Sequence, residues 1–506
     1  MRNSVLRLIA LPVALILLFA LLMLQDQGQL PIHDTVRTAG VGLSAVSITS
    51  QESVDASEIK TDPEAKDEAA STLNSSNPDE PETVDFPSAK LDEFFGLLYH
   101  NHTFMGSVAI LSGGEIIYRY SAGYADVAAE IPNNHKTHHR IGSVTKPFTA
   151  TLILQLEGEG KLSLDQPLSD FFDGFPGADK ITLAHMLYHR SGLFNFTNDP
   201  GYTSWMTEAR SRDEMLELMR GYDLQFEPDA QMQYSNANYV LLGFIIEDVT
   251  GKSYQEALQE RIAGPLGLKN TYFPGKISAE RNESGSYRWV EEWVRLPETD
   301  MSIPHGAGAL VSTPTDMVRF VRALFKGELL EPASLEKMTK LRDHFGMGLI
   351  FYPYHNKDGY GHTGGIDGYQ SNLAAYPDDD LYISIAANAL SWSNNSLLLT
   401  LLDAWHGKPV ELPDFDNIAL SEEHLKALAG NYASAQFPLQ IRVWEENGRL
   451  MAQATGQGAI PLDASSETRF RFDPAGLVME FHTNEVGEYL SFTLFQAGME
   501  ILFERK

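Results

Sequence analysis

The feature that most constrains the fold of this chain is a pair of hairpin patterns that lie far apart in the sequence. Alternating apolar residues in Ser107–Leu111 and Glu115–Tyr120 flank the dipeptide Gly113-Gly114. A second pattern, Leu373–Tyr376 and Leu381–Ala386, flanks a short acidic turn. Each arrangement predicts a β-hairpin, and apolar residues recur at helical spacing between them. The sequence therefore predicts an α+β domain whose sheet is built from distant segments.

The C-terminal part of the sequence differs from the rest in its short runs of alternating apolar residues. Asn447-Gly448 joins two alternating apolar runs, which is a strong hairpin signal. Further short alternating runs follow at a spacing of roughly ten residues. Residues 421–506 are therefore predicted to form a small β-barrel. We expect residues 406–420 to be a linker and residues 86–405 to form the larger domain.

The first 85 residues are predicted to be a targeting segment and a tether. Arg2 and Arg7 precede an uncharged apolar run, Leu8–Leu24, which is close to the length of about 20 residues that a membrane span needs. The pattern predicts that residues 1–25 are an uncleaved signal anchor or a cleaved signal peptide. The rest of the chain would then be exported, facing the periplasm from the inner membrane or released into the periplasm. Residues 26–85 are rich in acidic and small residues and predict a disordered tether.

Composition excludes several classes of protein. The chain of 506 residues contains no cysteine, which excludes disulfides, thiolate metal sites and a cysteine nucleophile. The formal net charge of −30 argues against nucleic-acid binding, because neutralising phosphates requires a basic face. No H-E-x-x-H or comparable ligand set occurs, so we expect no metal, and the side-chain chemistry described next would need no organic cofactor.

The tetrapeptide S-x-x-K occurs three times, and its context separates the copies. Ser57 lies in the acidic tether, and Ser334 lies on a predicted polar surface helix. Ser143 and Lys146 instead open a largely apolar helical run, where residues three apart share one face. A serine hydroxyl needs a base to become nucleophilic, and burial favours the uncharged form of a lysine. Ser143 and Lys146 are therefore the candidate nucleophile and base.

Two further motifs can complete such a site. Tyr234 and Asn236 stand two apart before a long apolar helix, so in an extended segment they point the same way. A phenol can relay a proton, and an amide can hold an acyl side chain. In Gly361–Gly365, the glycines allow a substrate to approach the backbone closely, and Thr363 adds a hydroxyl. A backbone N–H near Gly365 can complete an oxyanion hole with the helix N-terminus.

In their order along the chain, these motifs resemble the serine beta-lactamase-related, penicillin-binding-protein-like hydrolases. The resemblance is closest to the class C beta-lactamase branch with its DD-peptidase and esterase relatives, and it covers about residues 90–405. It rests on IGSVTKPFTA, HRSGL, FEPDAQMQYSNANYVLLG, PLGL, GAGALVSTPTDM and GHTGG. It implies an antiparallel sheet flanked by helices, with an all-helical subdomain. The segment LAGNY, Leu428–Tyr432, is similar to a lipocalin-like β-domain appended to some members.

The resemblance also implies a role for each candidate residue. Ser143 would be the acylated nucleophile, Lys146 its base and Tyr234 the proton relay. Asn236 would orient the substrate. The strand that lines the substrate-binding cleft would supply His362, Thr363, Gly364 and Gly365.

Two positions depart from the family pattern. Asp229 stands where glycine is frequent, in a predicted turn. His362 stands where many members carry a lysine, whose permanent positive charge would face the carboxylate of a β-lactam or a D-Ala-ended peptide. Histidine is mostly neutral above a pH of about 6.5, which weakens the case for a beta-lactamase.

The sequence therefore predicts an exported serine hydrolase that acts on D-Ala-type peptide amides in the manner of a DD-peptidase. An esterase or D-amino-acid-peptide hydrolase is the first alternative, and a beta-lactamase is the second. The non-enzyme alternative is a scaffold or binding protein on the same fold. The expected partner is a small molecule or peptide with an amide or ester carbonyl, with the membrane reached through the N-terminal segment. The exact substrate, the oligomeric state and the role of the C-terminal domain stay open.

Overall fold

The structure, a computed structural model, describes residues 86–437 and 439–506. The anchor predicted for residues 1–25 and the tether predicted for residues 26–85 lie outside the described residues. Among the helices that are described, none is long and apolar enough to cross a membrane.

A seven-stranded antiparallel sheet organises residues 86–405, which are called the α+β region below. Its hairpin from the start of the region pairs with a strand from the end, since Val108 lies opposite Ile385. This arrangement confirms the predicted α+β fold with a sheet of distant segments. The strands of the region are β1 (Phe104–Ser112), β2 (Glu115–Ala122), β3 (Tyr124–Asp126), β4 (Ile131–Pro132), β5 (His139–Arg140), β6 (Tyr287–Val290), β7 (Glu292–Arg295), β8 (Val311–Ser312), β9 (Phe345–Gly346), β10 (Leu349–Phe351), β11 (Tyr360–Ile366), β12 (Tyr369–Tyr376) and β13 (Leu381–Leu390). The strand order in the main sheet is β2-β1-β13-β12-β11-β10-β9.

Helices cover both faces of this sheet. Side chains alternate between the faces of a strand, and in β12 Leu373 joins one apolar core while its neighbour Ala374 joins the other. The α-helices within the described residues are α1 (Ser88–His100), α2 (Thr145–Gly158), α3 (Leu183–Leu187), α4 (Tyr202–Trp205), α5 (Arg212–Arg220), α6 (Asn236–Thr250), α7 (Tyr254–Leu258), α8 (His305–Gly308), α9 (Pro314–Phe325), α10 (Pro332–Thr339), α11 (Asn394–Trp405) and α12 (Glu422–Leu428).

Two central helices, α2 and α6, position the candidate site. Helix α2 follows directly on a 3-10 turn, Gly142–Val144, and is buried on nearly every side. The rings of Phe148 and Phe320 stack 3.6 Å apart and fix α2 against α9. Helix α6 begins at Asn236 and ends at Thr250, and it is followed by Gly251, whose φ of +68° suits a glycine. Both candidate motifs therefore lie at the starts of core helices.

The C-terminal segment forms a closed barrel of eight antiparallel strands. Its predicted hairpin turn has positive φ at both Asn447 and Gly448, as a two-residue turn of this kind requires. Phe470, Phe492 and Phe503 fill the interior and are fully buried. The small barrel expected from the sequence is confirmed, with strands β14 (Gly430–Ala433), β15 (Gln440–Glu446), β16 (Arg449–Ala454), β17 (Ile460–Ala464), β18 (Arg469–Phe472), β19 (Leu477–Thr483), β20 (Tyr489–Gln496) and β21 (Met499–Arg505).

Candidate active site

The turn that carries Ser143 lies directly against strand β11. Gly142 has a φ of +49°, and a methyl group placed on it would lie 2.8 Å from the amide nitrogen of Gly365. A methyl group placed on Gly364 would overlap the carbonyl oxygen of Ile141. Glycine at both positions therefore lets the two segments touch, which brings the backbone of Gly365 next to the Ser143 turn.

The side chain of Lys146 is fully buried and reaches back to the serine. Its Nζ lies 2.9 Å from Oγ of Ser143, so the one-turn spacing of the motif produces the predicted contact. Nζ also donates to Oδ1 of Asn236 at 2.8 Å and to the carbonyl oxygen of Ala307 at 2.8 Å. The ammonium position is thus defined by groups from three separate parts of the chain.

Tyr234 approaches the same serine oxygen from another direction. Its hydroxyl donates to Oγ of Ser143 at 2.7 Å. Nζ of Lys146 lies 4.8 Å from the centre of the tyrosine ring. Ser143 Oγ is therefore flanked by an amine and a phenol, two groups that can exchange a proton with it.

Asn236 is held by residues that the sequence motifs did not include. Its backbone N–H donates to Oδ1 of Asn195 at 3.0 Å, and its side-chain amide donates to the hydroxyl of Thr197 at 3.2 Å. Because the amide nitrogen faces Thr197, the amide oxygen faces Lys146. No sequence pattern indicated Asn195 or Thr197, which lie just before and within the short 3-10 turn Phe196–Asn198.

Two buried histidines near the lysine are neutral in the folded protein. Burial, together with the charge of Lys146, lowers the pKa of His362 to about 3. Burial, Lys146 and His362 also hold the pKa of His189 well below its usual range. The Nδ1 atom of His189 accepts the backbone N–H of Ser235 at 3.2 Å, so this histidine supports the Tyr234 segment.

Asp229, which stands where glycine is frequent in the family pattern, has a left-handed backbone and two arginine partners. Asp229 has a φ of +69°, the backbone region that glycine adopts most easily. Its carboxylate accepts hydrogen bonds from Arg190 at 2.7 Å and from Arg342 at 2.6 Å. Two arginine contacts thus accompany the left-handed backbone at this turn.

Ser143 opens into a cleft of about 700 Å³. Thr363, Gly364 and Gly365 line this cleft, whereas His362, which the resemblance also placed in the lining, does not. His362 is 1% exposed, and its ring packs 6.2 Å from that of Tyr234. The cleft is also lined by four barrel residues that sequence reasoning missed, Pro474, Ala475, Gln496 and Ala497.

The other S-x-x-K copies do not form such a cluster where they are described. Ser334 is 6% exposed, so it is buried and not on the surface as expected. The lysine of its motif, Lys337, is paired with a carboxylate. Nζ of Lys337 donates to a carboxylate oxygen of Glu157 at 2.5 Å. Ser57 lies outside the described residues.

Comparison with known proteins agrees with this arrangement. The family described as Beta-lactamase matches residues 98–403, more than half of the chain. Penicillin-binding protein 4* of Bacillus subtilis (strain 168) is 29% identical over 446 residues, covering 81% of this chain and 97% of that protein. Teichoic acid D-alanine hydrolase of Staphylococcus aureus (strain NCTC 8325 / PS 47) is 26% identical over 306 residues, covering 59% of this chain and 73% of that protein.

A solved structure gives the same result. The D-amino acid amidase from Ochrobactrum anthropi SV3, complexed with L-phenylalanine amide, is 28% identical with a TM-score of 0.56. The alignment covers 63% of this chain and 98% of the amidase. The fold, the relatives and the family match agree, and the chain belongs to the Beta-lactamase family of serine hydrolases, which act through an acyl-enzyme.

Proposed function

We propose that Ser143 is the nucleophile of this hydrolase and attacks the carbonyl of a D-Ala-type peptide amide. The observation that carries the proposal is the position of Ser143 Oγ, 2.9 Å from Nζ of Lys146 and 2.7 Å from the hydroxyl of Tyr234. A serine between an amine and a phenol can lose its proton to one group and receive protons relayed by the other.

Lys146 is proposed to be the base, and its neighbours support that role. A neutral amine has two N–H bonds and one lone pair. The carbonyl oxygens of Asn236 and Ala307, each 2.8 Å away, can accept the two N–H bonds. The lone pair then faces the hydroxyl of Ser143, ready to accept its proton as Oγ attacks.

The rest of the reaction follows from the surrounding groups. The backbone N–H groups of Ser143 and Gly365 are proposed to stabilise the oxyanion, since the two segments are in contact. Tyr234 would deliver its phenolic proton to the leaving amine as the tetrahedral intermediate collapses, and the proton that Lys146 took from Ser143 would replace it on Tyr234. Water then attacks the acyl-enzyme, and the same residues return the serine to its starting state.

The substrate class is inferred from the relatives together with the strand motif. A teichoic acid D-alanine hydrolase and a D-amino acid amidase are similar to this chain, which supports a D-alanyl or D-aminoacyl carbonyl. The neutral His362 supplies no fixed cation for a substrate carboxylate. A D-Ala-ended peptide carries a carboxylate just as a β-lactam does, so the preference for D-Ala-type amides over β-lactams rests on the relatives. D-amino-acid-peptide and ester substrates are the second candidate.

The cellular place of the reaction is also a proposal. The basic and apolar pattern of residues 1–25 supports export, with the enzyme anchored in the inner membrane or released into the periplasm. Fractionation of cells expressing the full chain with a C-terminal tag tests this. Recovery in the cytosolic fraction would contradict it.

The identity of the nucleophile is tested by covalent labelling. Ser143→Ala is expected to abolish labelling by a fluorophosphonate or an acylating β-lactam, read by mass spectrometry. Ser334→Ala, in the other described S-x-x-K, is the matched control and retains labelling. Continued labelling of Ser143→Ala at another residue would overturn the assignment.

The substrate class is tested by comparing turnover rates. We expect a D-Ala-D-Ala peptide or a D-alanine amide to be hydrolysed faster than nitrocefin, and faster than the L-alanine amide. p-Nitrophenyl acetate reports whether the acyl-enzyme forms at all. Faster turnover of nitrocefin than of either D-alanine substrate would overturn the proposed class in favour of a beta-lactamase.

A further inference from the structure

The cleft that holds Ser143 does not end within the α+β region. Its lining includes two turns at the rim of the barrel, called the rim turns below. The first is the 3-10 turn Asp473–Ala475, and the second is Ala497-Gly498, which joins β20 to β21. The barrel is thus a neighbour of the candidate catalytic serine across one continuous space.

The first rim turn lies against the start of helix α11 through Gly476, the residue that directly follows it. Gly476 has a φ of +58°, and a methyl group placed on it would overlap Oγ of Ser396 and lie 3.0 Å from Oγ of Ser393. The two turns are also tied to each other, because Nε2 of Gln496 donates to the carbonyl oxygen of Ala475 at 3.1 Å. Burial raises the pKa of Asp473, which agrees with a closed contact at this place.

The linker keeps the barrel in this position. Phe415 packs against Trp392, just before α11, with ring centres 5.5 Å apart. Three residues later, the N–H of Ile418 donates to the carbonyl oxygen of Ala464 in the barrel at 2.9 Å. The segment is therefore held on both sides within a few residues, and the rim turns form a fixed wall of the cleft.

The cleft is lined mainly by apolar residues, although Asn394, Asn395 and Gln496 are polar members of its lining on the side of this wall. From the α+β region it is lined by Tyr376, Leu398 and Leu402, and from the barrel by Pro474, Ala475 and Ala497. Moving an apolar group of a substrate from water into such a space is favourable. The polar groups of the reacting centre, around Ser143, belong to the same cleft.

We propose that the rim turns determine which substrates fit, by closing an apolar extension of the cleft that takes up an apolar group of the substrate. The inference rests on the proposed function, because it assumes that Ser143 is the reacting serine. It adds a substrate feature, an apolar acyl chain or an apolar leaving amine, and it gives the barrel a role in specificity. Small side chains at Ala475 and Ala497 leave that space open.

The test narrows the extension by one substitution in the full chain. Ala475→Trp is compared with wild type on p-nitrophenyl esters from acetate to octanoate, and on D-alanine amides whose amine grows from methyl to hexyl. In at least one series, the ratio of kcat/KM for the longest to the shortest substrate is expected to fall at least tenfold. Ala435→Trp, on an exposed barrel loop outside the cleft, leaves both ratios unchanged.

Two readouts keep the outcomes separate. Ala475→Leu, a smaller change, gives an intermediate ratio and guards against loss of folding in Ala475→Trp. Unchanged ratios in both series, or a wild type that rejects every long substrate, would overturn the role of the rim turns. Absence of Ser143-dependent turnover of the acetate ester would instead overturn the proposed function itself.

Discussion

The side-chain oxygen of Asn236 lies 2.8 Å from Nζ of Lys146, although the two residues are 90 positions apart. The side-chain amide of Asn236 cannot flip without losing its hydrogen bonds, because its nitrogen donates to the hydroxyl of Thr197. Asn236 therefore presents a neutral acceptor to the lysine. A neutral acceptor lets the amine shed its proton more readily than a carboxylate would.

Replacing this amide by a carboxylate gives the first prediction. Asn236→Asp keeps the shape but places a negative charge next to Nζ, which stabilises the ammonium form of Lys146. We expect kcat/KM to fall by about 100-fold or more, in the range seen when a general base is lost. The acid limb of the pH–rate profile should move to higher pH.

Asn198→Asp is the matched control for this prediction. Asn198 is exposed, and its Oδ1 accepts a hydrogen bond from Asn195 that an aspartate can also accept. It adds the same charge near the cleft without touching Lys146, so the profile should stay in place. An unchanged profile in Asn236→Asp would contradict a base role for Lys146.

The local parts of the site could be predicted from the sequence. Ser143 and Lys146 are one helical turn apart, and Tyr234 and Asn236 are neighbours in one loop, so each pair is fixed by local geometry. The two hairpin patterns likewise indicated strands that the structure places in one sheet. Patterns of this kind depend on a few adjacent residues, so they can be recognised without knowledge of the whole fold.

The remaining parts depend on contacts between distant segments. The carbonyl of Ala307 reaches Lys146 from another helix, and it is a backbone group that any residue type would supply. The rim turns of the barrel reach the cleft because the linker packs on Trp392, which no periodicity indicates. Asp229 looked like a simple turn substitution, and its two arginine partners become visible once the fold brings them together.

Removing the phenol hydroxyl gives the second prediction. Tyr234→Phe keeps the ring that packs 4.3 Å from His189 but loses the hydrogen bond to Ser143 Oγ. We expect kcat to fall by about 100-fold to 10,000-fold, as for loss of a proton-transfer group. The free energy of unfolding should fall by about 1 kcal/mol.

The control for this change is another buried phenol outside the site. Tyr188 donates through its hydroxyl to the carbonyl oxygens of Lys337 and Lys340. Tyr188→Phe should cost similar stability in urea unfolding and leave kcat unchanged. Equal kcat values for wild type and Tyr234→Phe would remove the tyrosine from the proton path.

The close approach of β11 to the serine turn gives the third prediction. A methyl group in Gly364→Ala would overlap the carbonyl oxygen of Ile141, so strand and turn must separate. Overpacking of this kind costs about 1–3 kcal/mol of unfolding free energy. Displacing the turn by about 1 Å should lower kcat/KM by roughly 100-fold.

Gly96→Ala is the matched control for added volume. Gly96 lies inside α1, where a methyl group would meet the hydroxyl of Tyr120 at 3.7 Å, an ordinary contact. This change should raise stability by up to about 1 kcal/mol, because alanine favours helix. Activity and thermal unfolding measured on both variants test whether the contact between β11 and the Ser143 turn is needed. A fully active Gly364→Ala would show that these two segments need not touch.

The buried histidines give the last prediction, on stability against pH. Burial lowers the pKa of His139 and of His362 to about 3, and it also lowers the pKa of His189. Below a pH of about 6.5 the unfolded chain binds protons at these positions while the folded chain does not. The free energy of unfolding should therefore fall as the pH drops below that value, by about 1.4 kcal/mol per pH unit for each histidine.

Urea unfolding at several pH values between about 7 and about 5 measures this slope. His139 lies outside the candidate site and bonds Ser284 through Nδ1 at 2.9 Å, which an asparagine can imitate. His139→Asn should reduce the slope by roughly one histidine's share. His135→Asn, at an exposed position, should leave it unchanged. A slope that His139→Asn does not alter would mean that this histidine takes up its proton in the folded state as easily as in the unfolded chain.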